Sequence, residues 1–183
     1  MVESRATEDL LVACKRGDSE ALQTLFEAHQ RRVYSIALNF FGGKCEAAED
    51  VTQQVFLKLF AHLDQFRGDA EFTTWLYRIT VNACVDEQRK QKRFLPLADL
   101  FGMKEPRTRK TQEEKAERRE IADEIQKAVA ALKPKLRLPI LLKYVEGLSY
   151  EEIAAVLECS PGTVASRLNR GHKALAQKLD HLR

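Results

Sequence analysis

The chain has 183 residues, 44% of them hydrophobic and 31% charged, with a formal net charge of +3; that suits one or two small globular domains and excludes a disordered chain. No apolar run approaches the roughly 20 residues needed to span a bilayer, and the N-terminal MVESRATEDL lacks the apolar core and cleavage pattern of a signal peptide, so a cytoplasmic protein with no integral membrane segment is expected. Cys14, Cys45, Cys84 and Cys159 lie far apart without a C-x-x-C pair, and His29, His62, His172 and His181 show no ligand spacing to them; reduced, structural thiols and no metal or cofactor are expected.

The first half reads as helical throughout. Leu22, Leu25, Phe26, His29, Val33, Ile36, Ala37 and Phe40 follow the helical period up to a Gly42-Gly43 breaker. A second helix carries Val51, Val55, Phe56, Leu59, Phe60 and Leu63 as its apolar stripe. It opens with Glu46, Glu49 and Asp50, as the helix dipole favours. After the loop QFRGDAEF, the run Thr73 to Arg93 predicts a third long helix. Leu76, Ile79, Ala83 and Val85 face inward, and Arg89, Lys90, Lys92 and Arg93 make a basic end.

From Phe94 to Lys110 two prolines, a glycine and mixed charges break the pattern, which predicts a flexible linker and a domain boundary. Thr111 with Glu114 offers a capping box for a helix whose stripe is Ile121, Ile125, Ala128, Val129 and Leu132. Lys133-Pro134 interrupts it. The next helix, through Ile140, Leu141, Leu142, Tyr144 and Val145, contains Pro139, so a kink or a late start is expected there.

The most informative stretch is GLSYEEIAAVLECSPGTVASRLNRGHKALAQKL, from Gly147 to Leu179. Ser149 and Glu152 form a capping box, so a helix should begin at Tyr150 and bury Ile153, Ala154, Val156 and Leu157. Ser160 then supplies an N-cap oxygen, and Pro161 sits where a helix tolerates a missing N–H. Two short helices joined by a tight turn have helix-turn-helix spacing. On the second of them Val164, Leu168, Leu175 and Leu179 face inward, leaving Thr163, Ser166, Arg167, Asn169, Arg170 and Lys173 on other faces.

Charge is unevenly placed. Residues 161–183 carry +4 and residues 75–93 carry +3, whereas residues 1–74 sum to −4. A ligand touching both basic stretches must be long and anionic, which points to nucleic acid. Arg and Lys neutralise phosphates, and Arg or Asn reads base edges in the major groove. There is no phosphate-cradling glycine loop, no metal-ligand cluster and no isolated carboxylate pair, so the expectation is a protein that is not an enzyme. The expected fold is all-α: two small helical domains joined by a flexible linker, the C-terminal one a helix-turn-helix.

Three segments carry a resemblance to a known family. AEDVTQQVFLKLF, FTTWLYRITVNACVDEQRKQKR and GLSYEEIAAVLECSPGTVASRL, in this order and spacing, are similar to the polymerase-binding, minus-ten and minus-thirty-five segments of bacterial sigma factors of the extracytoplasmic function group, in the sigma-70 family. The resemblance covers roughly residues 8 to 93 and 120 to 180. It implies residues 1–93 as region 2, 94–118 as the linker and 119–183 as region 4. Its implied partners are core RNA polymerase, through the clamp helices of the largest subunit and the flap, together with promoter DNA and an anti-sigma factor.

Residue by residue, the resemblance makes Asp50, Gln53, Gln54 and Phe56 candidates for the polymerase contact. Phe66, Arg67, Gly68 and Asp69 would frame a pocket for an unstacked base of the minus-ten element. Asn82 matches a promoter-contacting position, while Arg78, Arg89, Lys90 and Arg93 would hold phosphates. Ser160, Thr163, Ser166, Arg167, Arg170 and Lys173 would bind the minus-thirty-five duplex. Trp75 reads either as core or as a stacking platform. Two departures bear on promoter choice. Arg78 and Ile79 stand where primary sigma factors carry an aromatic pair for strand separation, and Ala165 and His172 replace basic residues in the reader helix. The alternative is a two-domain helix-turn-helix regulator that does not bind core polymerase.

Overall fold

The computed structural model describes residues 2–68, 70–98 and 113–182. Among the described residues there are eight α-helices and no strand: α1 Val2–Lys15, α2 Ser19–Phe40, α3 Cys45–Ala61, α4 Phe72–Ala98, α5 Glu113–Ala130, α6 Pro134–Tyr144, α7 Tyr150–Val156 and α8 Pro161–Lys178. The all-α, two-domain expectation matches this architecture. Helices α2, α3 and α4 form an N-terminal bundle with α1 against α2, and α6, α7 and α8 form a second cluster flanked by α5.

Local chemistry sets the boundaries. Asp18 caps α2 by accepting from the backbone N–H groups of Glu20 and Ala21 at 2.9 and 3.1 Å. Gly42 and Gly43, at φ +67° and +87°, end it in a conformation that side chains with a Cβ rarely adopt. Leu25, Val33, Ile36, Phe40, Val51, Val55 and Leu59 are fully buried between α2 and α3. Each such residue contributes about 1.5–3 kcal/mol of hydrophobic stabilisation, so this interface is the main source of stability in the bundle.

Several expectations are corrected by the packing. On α4 the most deeply buried residues are Leu76, Tyr77, Thr80, Val81, Ala83 and Cys84, whereas Ile79 and Val85 are half-buried. The helix is covered on two sides, by α3 and by α7, so its stripe is wider than a surface helix needs. Thr80 is hidden because its hydroxyl donates to the Leu76 carbonyl at 2.8 Å. Conversely, Ile121 and Ile125 are 41% and 43% exposed and Tyr144 is 65% exposed; the helical stripe continues past the surface that this chain covers. Cys45 is exposed, so it is not a core thiol, while Cys14 and Cys84 are buried; burial raises the Cys84 thiol pKa to about 12.

Helical structure extends into both ends of the expected linker. Helix α4 runs through Pro96 to Ala98, and α5 begins at Glu113; Pro96 forfeits one backbone hydrogen bond only in the last turn. Thr111 lies outside the described residues. Helix α6 starts directly at Pro134, its first residue, and contains Pro139 without a late start.

The two halves pack on one another: α5 and α6 lie against α2, and α7 lies against α4. Arg137 of α6, only 3% exposed, sits at the centre of this junction. Its guanidinium donates to the Phe40 carbonyl at 2.7 Å and to the Leu132 carbonyl at 2.6 Å, and also to the Ala130 carbonyl. It also covers the Phe40 ring at 4.4 Å. Burial lowers its pKa to about 10, with the nearby Cys84 opposing that shift; Arg137 is therefore charged at neutral pH. Replacing Arg137 with Leu should orphan all three carbonyls and cost about 2–3 kcal/mol, measured by urea denaturation followed by far-UV circular dichroism.

Candidate nucleic-acid interface

The helix-turn-helix is built by its caps. The Ser149 hydroxyl accepts from the Glu152 N–H at 3.2 Å, and the Glu152 carboxylate accepts from the Ser149 N–H at 2.7 Å. These bonds hold the Glu152 pKa below the usual carboxylate value. Ile153, Ala154 and Val156 are buried. The turn passes through Glu158 at φ +50°. The Ser160 hydroxyl then accepts from the Thr163 N–H at 3.2 Å and lies 2.9 Å from the Thr163 hydroxyl, so these two polar side chains are occupied in opening α8.

On α8 the inward positions Val164 and Leu168 are buried, and Leu175 and Leu179 are half-buried. Ser166, Asn169, Arg170 and Lys173 are exposed. Arg170 is held in place: its Nε donates to the Ser166 carbonyl at 3.2 Å and its Nη2 to the Ser166 hydroxyl at 3.3 Å. Ser166 and Arg170 thus present one preorganised pair of polar groups a helical turn apart. Arg167 does not join them. It is half-buried, reaches the Cys159 sulfur at 3.8 Å, and points towards the N-terminal half.

The second candidate site lies where the loop before α4 meets the helix. Phe66, Phe72 and Trp75 pack together, with the Phe66 and Trp75 rings 5.2 Å apart and inclined by 34°. The Lys15 ammonium pins the loop by donating to the Phe66 carbonyl at 2.7 Å, and Gly68 takes φ +79°. Asp69 lies outside the described residues. A recess of about 180 Å3 opens beside Phe66, Arg67 and Gly68, and a cleft of about 540 Å3 opens beside Asn82 and Arg89; Gln65 and Trp75 wall both. Trp75 is half-buried, packed against Phe66 and Phe72 with part of its surface left open. Asn82 is exposed. Among the described residues Arg89 pairs with the exposed Asp86 at 3.5 Å and Lys90 with the half-buried Glu87 at 3.6 Å, both on their own helix; such pairs hold a side chain weakly. Arg93 is exposed.

On α3, Asp50 and Gln53 are exposed and Gln54 is half-buried. Phe56 is buried at 3% exposure, edge-on to Phe26 at 4.7 Å, and lies beneath that face. The residue missed by the sequence reading is Leu57, which is 63% exposed. It falls three and four residues after Gln54 and Gln53 and completes a surface row with Asp50. The signal was present in the helical period, which places Leu57 on the face opposite the Val51, Val55 and Leu59 stripe.

Two family profiles match the chain: Sigma-70 region 2 over residues 25–94 and Sigma-70, region 4 over residues 122–175. The ECF RNA polymerase sigma-E factor of Escherichia coli (strain K12) is 32% identical over 190 residues, spanning 100% of this chain and 98% of that protein. The chain belongs to the ECF group of the sigma-70 family. The ECF RNA polymerase sigma factor SigW of Bacillus subtilis (strain 168) is also 32% identical, over 92% of this chain and 94% of the relative. Among solved structures, CnrH in complex with the cytosolic domain of CnrY aligns at a TM-score of 0.69 and 27% identity, covering 94% of this sigma factor and 96% of that chain. The sigma factor RpoE of Bartonella quintana, solved with the anti-sigma factor NepR, shares the fold at a TM-score of 0.67 and 24% identity, over 88% of this chain and 98% of that one. Family membership makes this protein a transcription initiation factor with DNA-binding regions.

In this sigma factor the caps of the reader unit should be measurable. Ser149→Ala should lower thermal stability by about 1 kcal/mol. Because the folded-state pKa of Glu152 is depressed, its contribution is complete above the unfolded value of about 4.3 and is lost as pH falls through the lower folded value. Glu152→Ala should therefore flatten the acid limb of a pH–stability profile recorded by circular dichroism.

Proposed function

We propose that this sigma factor is a dissociable, non-catalytic subunit that binds core RNA polymerase in the cytoplasm. It reads the minus-thirty-five element as duplex through α8 and the minus-ten element as opened single strand around α4. Residues 1–93 act as region 2, 94–118 as the connecting segment and 119–183 as region 4. The observation that carries this reading is the recess walled by Phe66 and Trp75 beside the exposed Asn82 and Arg89. A regulator that reads only duplex DNA has no use for an aromatic recess next to phosphate-binding cations, whereas an unstacked base needs both.

At the upstream element, Ser166 and Arg170 are the direct readers, with Lys173 on phosphate and Ser160 and Thr163 fixing the start of the helix. At the downstream element, Trp75 and Phe66 supply apolar walls, Arg67, Gly68 and Asp69 frame the pocket, and Asn82 bonds a base edge. Arg89, Lys90 and Arg93 follow the backbone of the strand. Asp50, Gln53, Gln54 and Leu57 make the polymerase-facing row on α3, seated on Phe56, against the clamp helices; the second half meets the flap. An anti-sigma factor is the expected inhibitor, in keeping with the solved complex of RpoE with NepR.

Arg170→Ala should weaken upstream-duplex binding by about 1–3 kcal/mol if the guanidinium reads a base with two bonds; unchanged promoter binding would remove it from the reader set. Asn82→Ala should spare duplex binding while reducing permanganate-reactive thymines at the start site. Leu57→Asp should abolish co-elution with core polymerase without altering the circular dichroism spectrum. Retained co-elution in that variant would displace the polymerase contact from α3.

A further inference from the structure

The cleft beside Asn82 and Arg89 is lined from two helices. Lys58 and His62, at the end of α3, border it together with Trp75, Ile79, Asn82 and Asp86 of α4. Both α3 residues are exposed, and they stand one turn apart. His62 closes α3: its backbone N–H and its ring Nδ1 both lie on the Lys58 carbonyl, at 3.1 and 3.0 Å. A carbonyl only accepts, so Nδ1 carries the hydrogen, and in the neutral ring Nε2 is a bare acceptor. Among the described residues no group donates to Nε2. The two bonds to one carbonyl fix the ring against the helix end, so this acceptor is held in place before any ligand arrives.

The lining has the chemistry of a nucleobase site. The cleft of about 540 Å3 is of the size that encloses a small molecule, about 300–1,000 Å3. Trp75 and Ile79 are half-buried and offer apolar surface, while Lys58 and Arg89 place cations for the neighbouring phosphates. Two acceptors come from different helices, Nε2 of His62 on α3 and Oδ1 of Asn82 on α4. The Asp86 carboxylate already faces Arg89 at 3.5 Å.

An exocyclic amine carries two hydrogens and is fully bonded only where two acceptors converge on it. In a duplex one of those hydrogens faces the partner base, so only an unpaired base offers both. A thymine in the same position presents a carbonyl to Nε2, acceptor against acceptor, and both are left without a partner. We infer that His62 is a specificity-determining residue of the downstream reader. Its Nε2 accepts from the exocyclic amine of the base that Asn82 bonds, so the cleft takes an amino-bearing base and rejects thymine, with Lys58 on the adjoining phosphate. This inference rests on the reading of α4 as the binder of an opened strand.

The test uses the full chain and labelled single strands of about 12 nucleotides, oligo(dC) and oligo(dU), whose rings differ only in the edge that carries an amine or a carbonyl. In fluorescence anisotropy at low salt, the wild type should bind oligo(dC) about tenfold more tightly than oligo(dU). His62→Phe and His62→Ala, which remove the acceptor, should weaken oligo(dC) alone and bring the two affinities within about twofold. His62→Gln, whose side-chain carbonyl accepts, should keep most of the preference. Lys58→Ala should weaken both strands equally and reduce the salt slope by about 0.7. Thermal unfolding followed by circular dichroism checks that each variant is folded. A wild type without preference, or a preference that survives loss of the acceptor, would overturn the role of His62. Strands that still bind, and bind less tightly to Asn82→Ala, would then leave the reading of α4 standing. A wild type that binds neither strand would overturn both.

Discussion

The arrangement of this chain depends on one buried cation. Arg137 lies where α5 ends, α6 begins and α2 terminates, and its guanidinium satisfies carbonyls from both halves at once. A charge in that position is tolerated because both Nη groups donate to carbonyl oxygens and the guanidinium face lies on the Phe40 ring, although its buried Nε finds no partner among the described residues. The carbonyls at the end of α5 would otherwise be the unpaired groups that any helix C-terminus leaves. Capping them with a side chain that also grips the Phe40 carbonyl couples the end of one domain to the surface of the other. The orientation of α7 and α8 relative to α4 follows from that coupling.

Around this anchor the two halves solve different problems. The N-terminal bundle is stabilised by a long apolar interface between α2 and α3, and it can therefore leave an aromatic recess open at the start of α4 without losing its fold. The C-terminal cluster is small, and its shortest helix, α7, spans only Tyr150–Val156. It depends on caps, with the Ser149–Glu152 box at one end and the Ser160 cap of α8 at the other. Short helices are marginal by themselves; precise capping and tertiary packing compensate. The same caps determine which α8 side chains face outward, so stability and DNA reading share residues in this half.

Much of this was legible in the sequence. The helix periods, the Gly42-Gly43 break, the two caps of the helix-turn-helix and the basic character of α8 follow from local rules that need no tertiary information. What the sequence did not show lies where one half covers the other. Arg78 and Arg167 carry the chemistry of phosphate ligands, yet Arg78 is engaged by Glu158 and Arg167 is turned inward. Val81, 3% exposed, lines the cleft that Leu138 and Val156 of the second half also line. Arg137 reads as an ordinary surface charge next to a proline, and its burial is set by Phe40, 97 residues earlier in the chain. Phe56 carried both an apolar-stripe and a contact reading, and its packing on Phe26 shows it buried while Leu57 next to it is exposed.

The proposed function requires that one chain bring polymerase to promoters through two separate readers. The most direct measurement adds the purified protein to core RNA polymerase on bacterial genomic DNA and maps the 5′ ends of the transcripts made in vitro. Discrete start sites are expected, absent with core polymerase alone, that share two sequence elements centred about 25 base pairs apart, roughly 85 Å of duplex. Start sites no different from those of core polymerase alone, or sites sharing only a single element, would contradict it.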